Sequence, residues 1–324
     1  MQQVRWGIIG CGNVTELKSG PAFNKVEQSS LVAVMRRDAA KAEDYAKRHQ
    51  VPRWYSDAQQ LINDPEVDAI YVATPPDSHK DYALLVAAAG KICCVEKPMA
   101  LSTAECIEMT LAFEQKQLPL YVAYYRRSLP RFLKIKEWLE QELIGVPRQV
   151  QWSFCRTPNA VDLAGHYNWR TDPAKAGGGY FIDLASHGLD LFLYLLGDVL
   201  DVRGISQNQQ QLYAAEDAVS AVWQFQSGCL GAGFWNFAAA QRTDRVVIYG
   251  SKGRIEFSVF ENEPVLLFSA EQQFSLDIAH PENIQFYHIQ AMVQDLLHGT
   301  GHPSTGKTAL KASWMMEQIL GPEF

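Results

Sequence analysis

The run Gly7-Ile8-Ile9-Gly10-Cys11-Gly12-Asn13-Val14-Thr15 decides the fold. It closes a β-branched stretch that starts at Val4, so the glycines fall where a strand turns into a helix. Gly10 suits the tight turn, and Gly12 lets the backbone come close to a pyrophosphate lying over the helix start at Asn13 and Val14. Thr15 stands at the third glycine position. An ordinary strand-to-helix turn carries two glycines as well; the position after the first strand of the chain favours the dinucleotide reading. Gly20-Pro21 then ends that helix after about two turns, because proline lacks the amide hydrogen and clashes with the preceding turn.

Outward from this turn, apolar runs alternate with amphipathic stretches. The runs are Val4 to Ile9, Leu31 to Val34, Ala69 to Ala73, Ile92 to Val95 and Leu120 to Ala123, continuous in hydrophobicity as strands covered on both faces are. Between them lie Asp38 to Arg48, Ser78 to Ala89 ending at Gly90, and Ser102 to Gln115, with Asp38 and Ser102 as N-caps and Glu105 completing a capping box. Right-handed crossovers turn this order into a doubly wound parallel sheet, a Rossmann arrangement whose ligand lies beyond the carboxyl ends of the strands.

Past residue 145 the pattern changes. A helical region near Gly179 to Leu196 precedes strands at Val219 to Phe225, Leu230 to Phe237, Arg245 to Tyr249 and Arg254 to Val259, joined by Ser-Gly and Ser-Lys-Gly turns and read as an antiparallel meander. Trp223, Phe225, Phe234 and Trp235 give it an aromatic face that must be covered. Helices near Gln285 to Leu297 and Thr305 to Leu320 close the chain. The fold class is therefore α/β: a dinucleotide-binding domain over 1–123, and over 124–324 an α+β domain with an open, mostly antiparallel sheet. The C-terminal helix is expected to pack back on the first domain.

The composition is that of a globular chain: 324 residues, 47% hydrophobic and 20% charged, with a formal net charge of -7 spread along the sequence. That balance argues against nucleic acid as a partner. The six cysteines form no C-x-x-C pair and no spacing with histidine suited to zinc, so they are read as reduced thiols, and no metal is expected. No run approaches the roughly 18 apolar residues of a membrane span, and no leader is seen, so the expected location is the cytoplasm.

The second strand runs into Met35-Arg36-Arg37. A carboxylate there accepts from the ribose 2′-hydroxyl of NAD; two guanidinium groups instead suit the 2′-phosphate of NADP. NADP(H) is favoured, with NAD(H) the alternative. Two further motifs lie at carboxyl ends of strands, where the nicotinamide is expected: Thr74-Pro75 with His79, and Glu96-Lys97-Pro98. Lys97 there is placed to donate a hydrogen bond to the reacting oxygen. In the second domain Gly177-Gly178-Gly179 leads into a helix bearing Asp183 and His187 four residues apart, which makes carboxylate and imidazole neighbours. Histidine suits the proton that leaves a hydroxyl as hydride leaves carbon, and Asp183 suits its orientation. A helix-surface ion pair would use the same spacing.

Taken together, Gly-Cys-Gly, Ala73-Thr74-Pro75 with His79, Glu96-Lys97-Pro98, Tyr125-Arg126-Arg127, Trp169-Arg170 and the glycine run before Asp183 and His187 resemble the Gfo/Idh/MocA family, which includes glucose-fructose oxidoreductase and inositol dehydrogenase. The resemblance covers nearly the whole chain. It implies a nicotinamide-dependent oxidoreductase of a sugar, polyol or related carbonyl or hydroxyl compound. It implies that His187 is the acid or base, Asp183 its partner and a substrate ligand, and Lys97 a catalytic neighbour of the substrate hydroxyl, with Arg126, Trp169 and Arg170 lining the pocket. It further implies a homodimer or homotetramer formed through the C-terminal sheet, covering the aromatic face. Thr15, Gly20-Pro21 and Arg36, in place of the acidic residue of NAD-preferring relatives, are the departures. Two alternatives share the fold: a nicotinamide-dependent glycoside hydrolase, and a non-catalytic regulator that senses cofactor or sugar.

Overall fold

A computed structural model describes residues 2–321. The chain forms two compact units, one of residues 1–128 with 281–310 and the other of 129–280 with 311–324.

The first unit is built on six parallel strands: β1 (Val4–Ile9), β2 (Ser29–Met35), β3 (Arg53–Tyr55), β4 (Ala69–Val72), β5 (Ile92–Val95) and β6 (Leu120–Val122), in the order β3-β2-β1-β4-β5-β6. The order reverses beside β1, which opens the crevice where ligands of such sheets lie. Five of these strands follow from the apolar runs. The sixth, β3, has only three residues at the sheet edge with Trp54 40% exposed, too short and too wet to show a periodicity. The capping positions hold: Asp38 accepts from Lys41 N at 3.2 Å, and Ser102 from Glu105 N at 3.2 Å. The helix Phe286–His298 also belongs to this unit, where Ile289, Met292 and Val293 join a core with Trp6, Phe23 and Tyr71.

The second unit carries eight strands: β7 (Pro147–Cys155), β8 (Val199–Gln207), β9 (Ala218–Phe225), β10 (Leu230–Asn236), β11 (Thr243–Gly250), β12 (Gly253–Phe257), β13 (Val265–Ser269) and β14 (Gln273–Leu276). Their order is β14-β13-β12-β11-β7-β10-β9-β8. The expected meander is thus corrected. β9 with β10 and β11 with β12 are antiparallel hairpins, but β7 lies between them, parallel to β10 and antiparallel to β11. Its alternation, with Val150, Trp152 and Phe154 buried and Gln149 and Gln151 turned away, makes it a central strand.

The aromatic face needs no second molecule. Trp152, Trp223, Phe225 and Trp235 are buried under the helix Ser186–Leu196, whose Phe192 stacks on Trp223 (6.2 Å) and meets Trp152 edge-on (5.7 Å). That helix sits close because residue 188 is glycine: a Cβ there would come within 2.3 Å of the Trp152 ring. Phe234 faces the other way. On that open face a row formed by Ile205, Ser220, Phe234 and Ser153 crosses four strands, with Ile205 75%, Val222 56% and Phe234 47% exposed. It borders an open hollow of about 530 Å³.

The helix Gly306–Leu320 is shared. Its first turn packs on β6, where a Cβ on Gly306 would lie 2.9 Å from Leu120, and its last turn packs on β8, where a Cβ on Gly204 would meet the Ile319 carbonyl. Among the described residues no helix is long and apolar enough to cross a membrane, and no disulfide joins the cysteines.

Candidate active site

The glycine turn has the form a pyrophosphate cradle requires. Gly10 has φ +91°, and a Cβ on it would strike Thr74 at 2.7 Å; its N–H donates to the Met35 carbonyl at 2.9 Å. Gly12 precedes the helix Asn13–Leu17, and a Cβ on it would make only an ordinary van der Waals contact, 3.7 Å from the Gly10 carbonyl. Thr15 fills the third glycine position for a local reason: its buried hydroxyl accepts from Gly12 N at 3.0 Å and donates to Gly12 O at 2.9 Å. The helix is short, as Gly20-Pro21 predicts, and the Thr15 carbonyl, left outside the helical ladder, accepts from the Tyr45 hydroxyl at 2.8 Å. Arg36 donates to the Cys11 carbonyl at 3.3 Å, so its guanidinium lies against this turn, while Arg37 is exposed. Burial pushes the Cys11 thiol up to about 11, which leaves it protonated and inert. Asn13 is exposed and Val14 half-buried at the mouth of the turn.

The two loops at the ends of β4 and β5 are tied together by His79. It is fully buried, with Nδ1 2.9 Å from the Pro98 carbonyl and Nε2 2.8 Å from the Thr74 carbonyl. Its ring is enclosed and both nitrogens face main chain, so it fixes where Thr74, Pro75 and Lys97-Pro98 lie. Glu96 is likewise 7% exposed and held from behind: Gln285 Nε2 donates to its Oε1 at 2.7 Å, and the Tyr71 hydroxyl donates to the same oxygen. Burial, then the charge of Glu96, raises the Tyr71 phenol well above its ordinary value. The Lys97 N–H donates to Glu96 Oε2 at 3.1 Å, and the Lys97 side chain is half-buried. In the same unit the Arg126 guanidinium lies 4.9 Å from the Tyr125 ring centre and is 4% exposed.

In the second unit Asp183 lies on a π-helical turn, Phe181–Ala185, and His187 on the α-helix that continues it. His187 is 4% exposed and Asp190 fully buried. The structure brings Arg170 to Asp183, Nε to Oδ2 at 3.6 Å, and stacks the Arg170 guanidinium 4.4 Å over the Trp169 ring. Three of the expected pocket residues therefore form one chain of contacts. Sequence reasoning missed what holds them. The buried Asp162 carboxylate accepts from Tyr180 OH at 2.5 Å and Asn168 Nδ2 at 3.0 Å, and Asn168 Oδ1 accepts from Arg170 N at 3.2 Å. Burial, then Asp162, raises the Tyr180 phenol. Behind the glycine run, Glu216 Oε1 accepts from Gly179 N at 3.4 Å, and burial lifts its carboxyl to about 7. Asn168 before Trp-Arg is a visible cap; Asp162 and Glu216 carry no local signal.

Comparison with known proteins bears on this geometry. Residues 4–124 match the model described as "Oxidoreductase family, NAD-binding Rossmann fold", and residues 132–256 match the "GFO/IDH/MocA C-terminal domain". "Oxidoreductase P35" of Formosa agariphila is 38% identical over 321 residues, covering 98% of this chain and 99% of that one. This chain belongs to the Gfo/Idh/MocA oxidoreductase family. It is an oxidoreductase with an NAD-binding Rossmann domain. The trans-1,2-dihydrobenzene-1,2-diol dehydrogenase of Bos taurus is 29% identical, over 77% of this chain and 72% of its own. A levoglucosan dehydrogenase solved with NADH shares the fold with a TM-score of 0.89 at 19% identity, over 98% of this chain and 96% of that one.

Proposed function

We propose that this family member moves a hydride between NADP(H) and a carbon bearing a hydroxyl on a sugar or polyol. Residues 1–123 hold the cofactor and 124–324 supply substrate contacts and assembly. The observation that carries this reading is the cradle: a Gly12 with no side chain at the helix start, a left-handed turn at Gly10, and Arg36 resting on the Cys11 carbonyl, where a 2′-phosphate reader stands in such folds. The bound nicotinamide supplies or accepts the hydride. Thr74 and Pro75, their loop fixed through His79, set one wall of its site, and Glu96 fixes the main chain of Lys97. Lys97 donates a hydrogen bond to the reacting oxygen. His187 takes or returns the hydroxyl proton, while Asp183 and Arg170, with Trp169 beneath, orient neighbouring hydroxyls. Arg126 completes the substrate set. A second copy covers the open sheet face with Ile205, Val222 and Phe234, giving a homodimer or homotetramer in the cytoplasm.

Replacing His187 with Ala tests the proton-transfer role: turnover is expected to fall about 10²- to 10⁴-fold while NADPH still binds. Near-normal turnover in that variant would remove His187 from the reaction.

A further inference from the structure

Phe260 lies on the turn that follows β12, half-buried, in the same unit as His187. Its ring meets the imidazole edge to face, centroids 5.8 Å apart and planes at 84°, and it also packs against Phe154 at 5.1 Å. The turn that carries it is pinned from several sides. The Phe260 N–H donates to Asp244 Oδ2 at 2.7 Å, and Asp244 Oδ1 accepts from the Trp152 indole at 3.0 Å. Arg131, 1% exposed, donates from both terminal nitrogens to the carbonyls of Glu261 (2.5 Å) and Glu263 (2.7 Å). Ser258 Oγ donates to the Glu261 carbonyl at 3.1 Å. Burying a guanidinium and a carboxylate is costly. Here both are directed at the main chain of one short turn, and the result is a fixed aromatic ring beside the imidazole.

We infer that Phe260 determines substrate specificity as an apolar wall beside His187, receiving the C–H face of a ring-shaped, uncharged polyol whose hydroxyl rim addresses Asp183 and Arg170. This deepens the reading of His187 as the proton-transfer group and rests on it. A polyol ring presents its C–H bonds together on one face, which an aromatic ring covers well. An acyclic polyol has no such continuous face, and an anionic group against Phe260 would lose its hydration without compensation.

The test uses full-length protein loaded with NADP and two uncharged probes of equal carbon count, a cyclohexanehexol and an acyclic hexitol. Wild type, Phe260→Ala, Phe260→Tyr and His187→Ala are compared in kcat, KM and calorimetric affinity for each probe. Wild type is expected to favour the ring. In Phe260→Ala the KM for the ring rises about tenfold and outpaces any change in kcat, the hexitol constants move far less, and Phe260→Tyr restores most of the preference. Equal losses on both probes, unchanged selectivity, or a wild type indifferent to the ring would overturn the inference. His187→Ala separates the two claims. If it loses turnover while Phe260→Ala keeps its ring selectivity, the wall alone is wrong. If His187→Ala turns over normally, the proton-transfer reading fails, and the calorimetric ring preference decides the wall independently.

Discussion

The two units hold their candidate functional side chains by different means. In the first, the glycine turn and the loop after β4 are supported locally, Thr15 bonding Gly12 three residues away and His79 bonding Thr74 five residues away, while Glu96 is held from afar, by Gln285 across 189 residues. In the second the ties behind the site are distant: Glu216 reaches Gly179 across 37 residues, Trp152 reaches Asp244 across 92 and Arg131 reaches Glu261 across 130. Local support fixes a loop with little dependence on the rest of the fold; distant support ties the site to the stability of its whole unit. Substitutions in the glycine turn should therefore impair ligand binding at small cost in stability. Substitutions behind Asp183 and His187 should cost stability first.

The largest effect is expected at Arg131. Arg131→Ala removes the guanidinium donors from the Glu261 and Glu263 carbonyls, leaving Glu261 with Ser258 Oγ, and opens a void, and should lower unfolding free energy by about 3–5 kcal/mol in denaturant titration. A loss below about 1 kcal/mol would break the contrast between the units.

Glu216 comes next. Its carboxyl is raised to about 7 from an ordinary 4.5, so the folded chain holds that proton more tightly than the unfolded chain does. The associated stability is full below pH 4.5 and is lost as pH rises to about 7. Glu216→Gln keeps an acceptor for Gly179 N and does not titrate. Its stability relative to wild type should climb through this window by up to about 3 kcal/mol. A difference that is flat from about pH 5 to 8 would show that burial does not hold the proton on Glu216.

Tyr180→Phe removes one donor from the buried Asp162 carboxylate and should cost about 2 kcal/mol. It should also weaken substrate binding through Arg170 while leaving NADPH affinity unchanged. Gly12→Ala gives the smallest stability change, under about 0.5 kcal/mol, because its Cβ would meet nothing closer than the Gly10 carbonyl at 3.7 Å, an ordinary contact that leaves space beyond it. That same space is where pyrophosphate must approach, so NADPH binding should be lost. A Gly12→Ala protein that binds NADPH normally would erase the distinction between the two regions.

The same contrast explains what the sequence made legible. The parallel sheet, its caps at Asp38 and Ser102 and the glycine turn are written in residues a few positions apart. The short edge strand β3 escaped because three residues with an exposed Trp54 show no period. In the second unit the hairpins β9–β10 and β11–β12 were readable from their turns, but the insertion of β7 between them was not, since strand neighbours far apart in sequence leave no local trace. Trp169, Arg170 and Asp183 were recognisable as a set; Asp162, Glu216, Arg131, Asp244 and Phe260 were not, because their roles exist only once distant segments meet. His79 was singled out from its motif, but its contacts with the Thr74 and Pro98 carbonyls were not legible there, because they form only once the two loops meet.

The most direct test of the account is titration of cofactor-free protein with NADPH and NADH, followed by nicotinamide fluorescence, in wild type and Arg36→Ala. NADPH is predicted to bind wild type at least about tenfold more tightly, and Arg36→Ala should abolish that preference while sparing NADH. Tighter binding of NADH, or binding of neither cofactor, would contradict it.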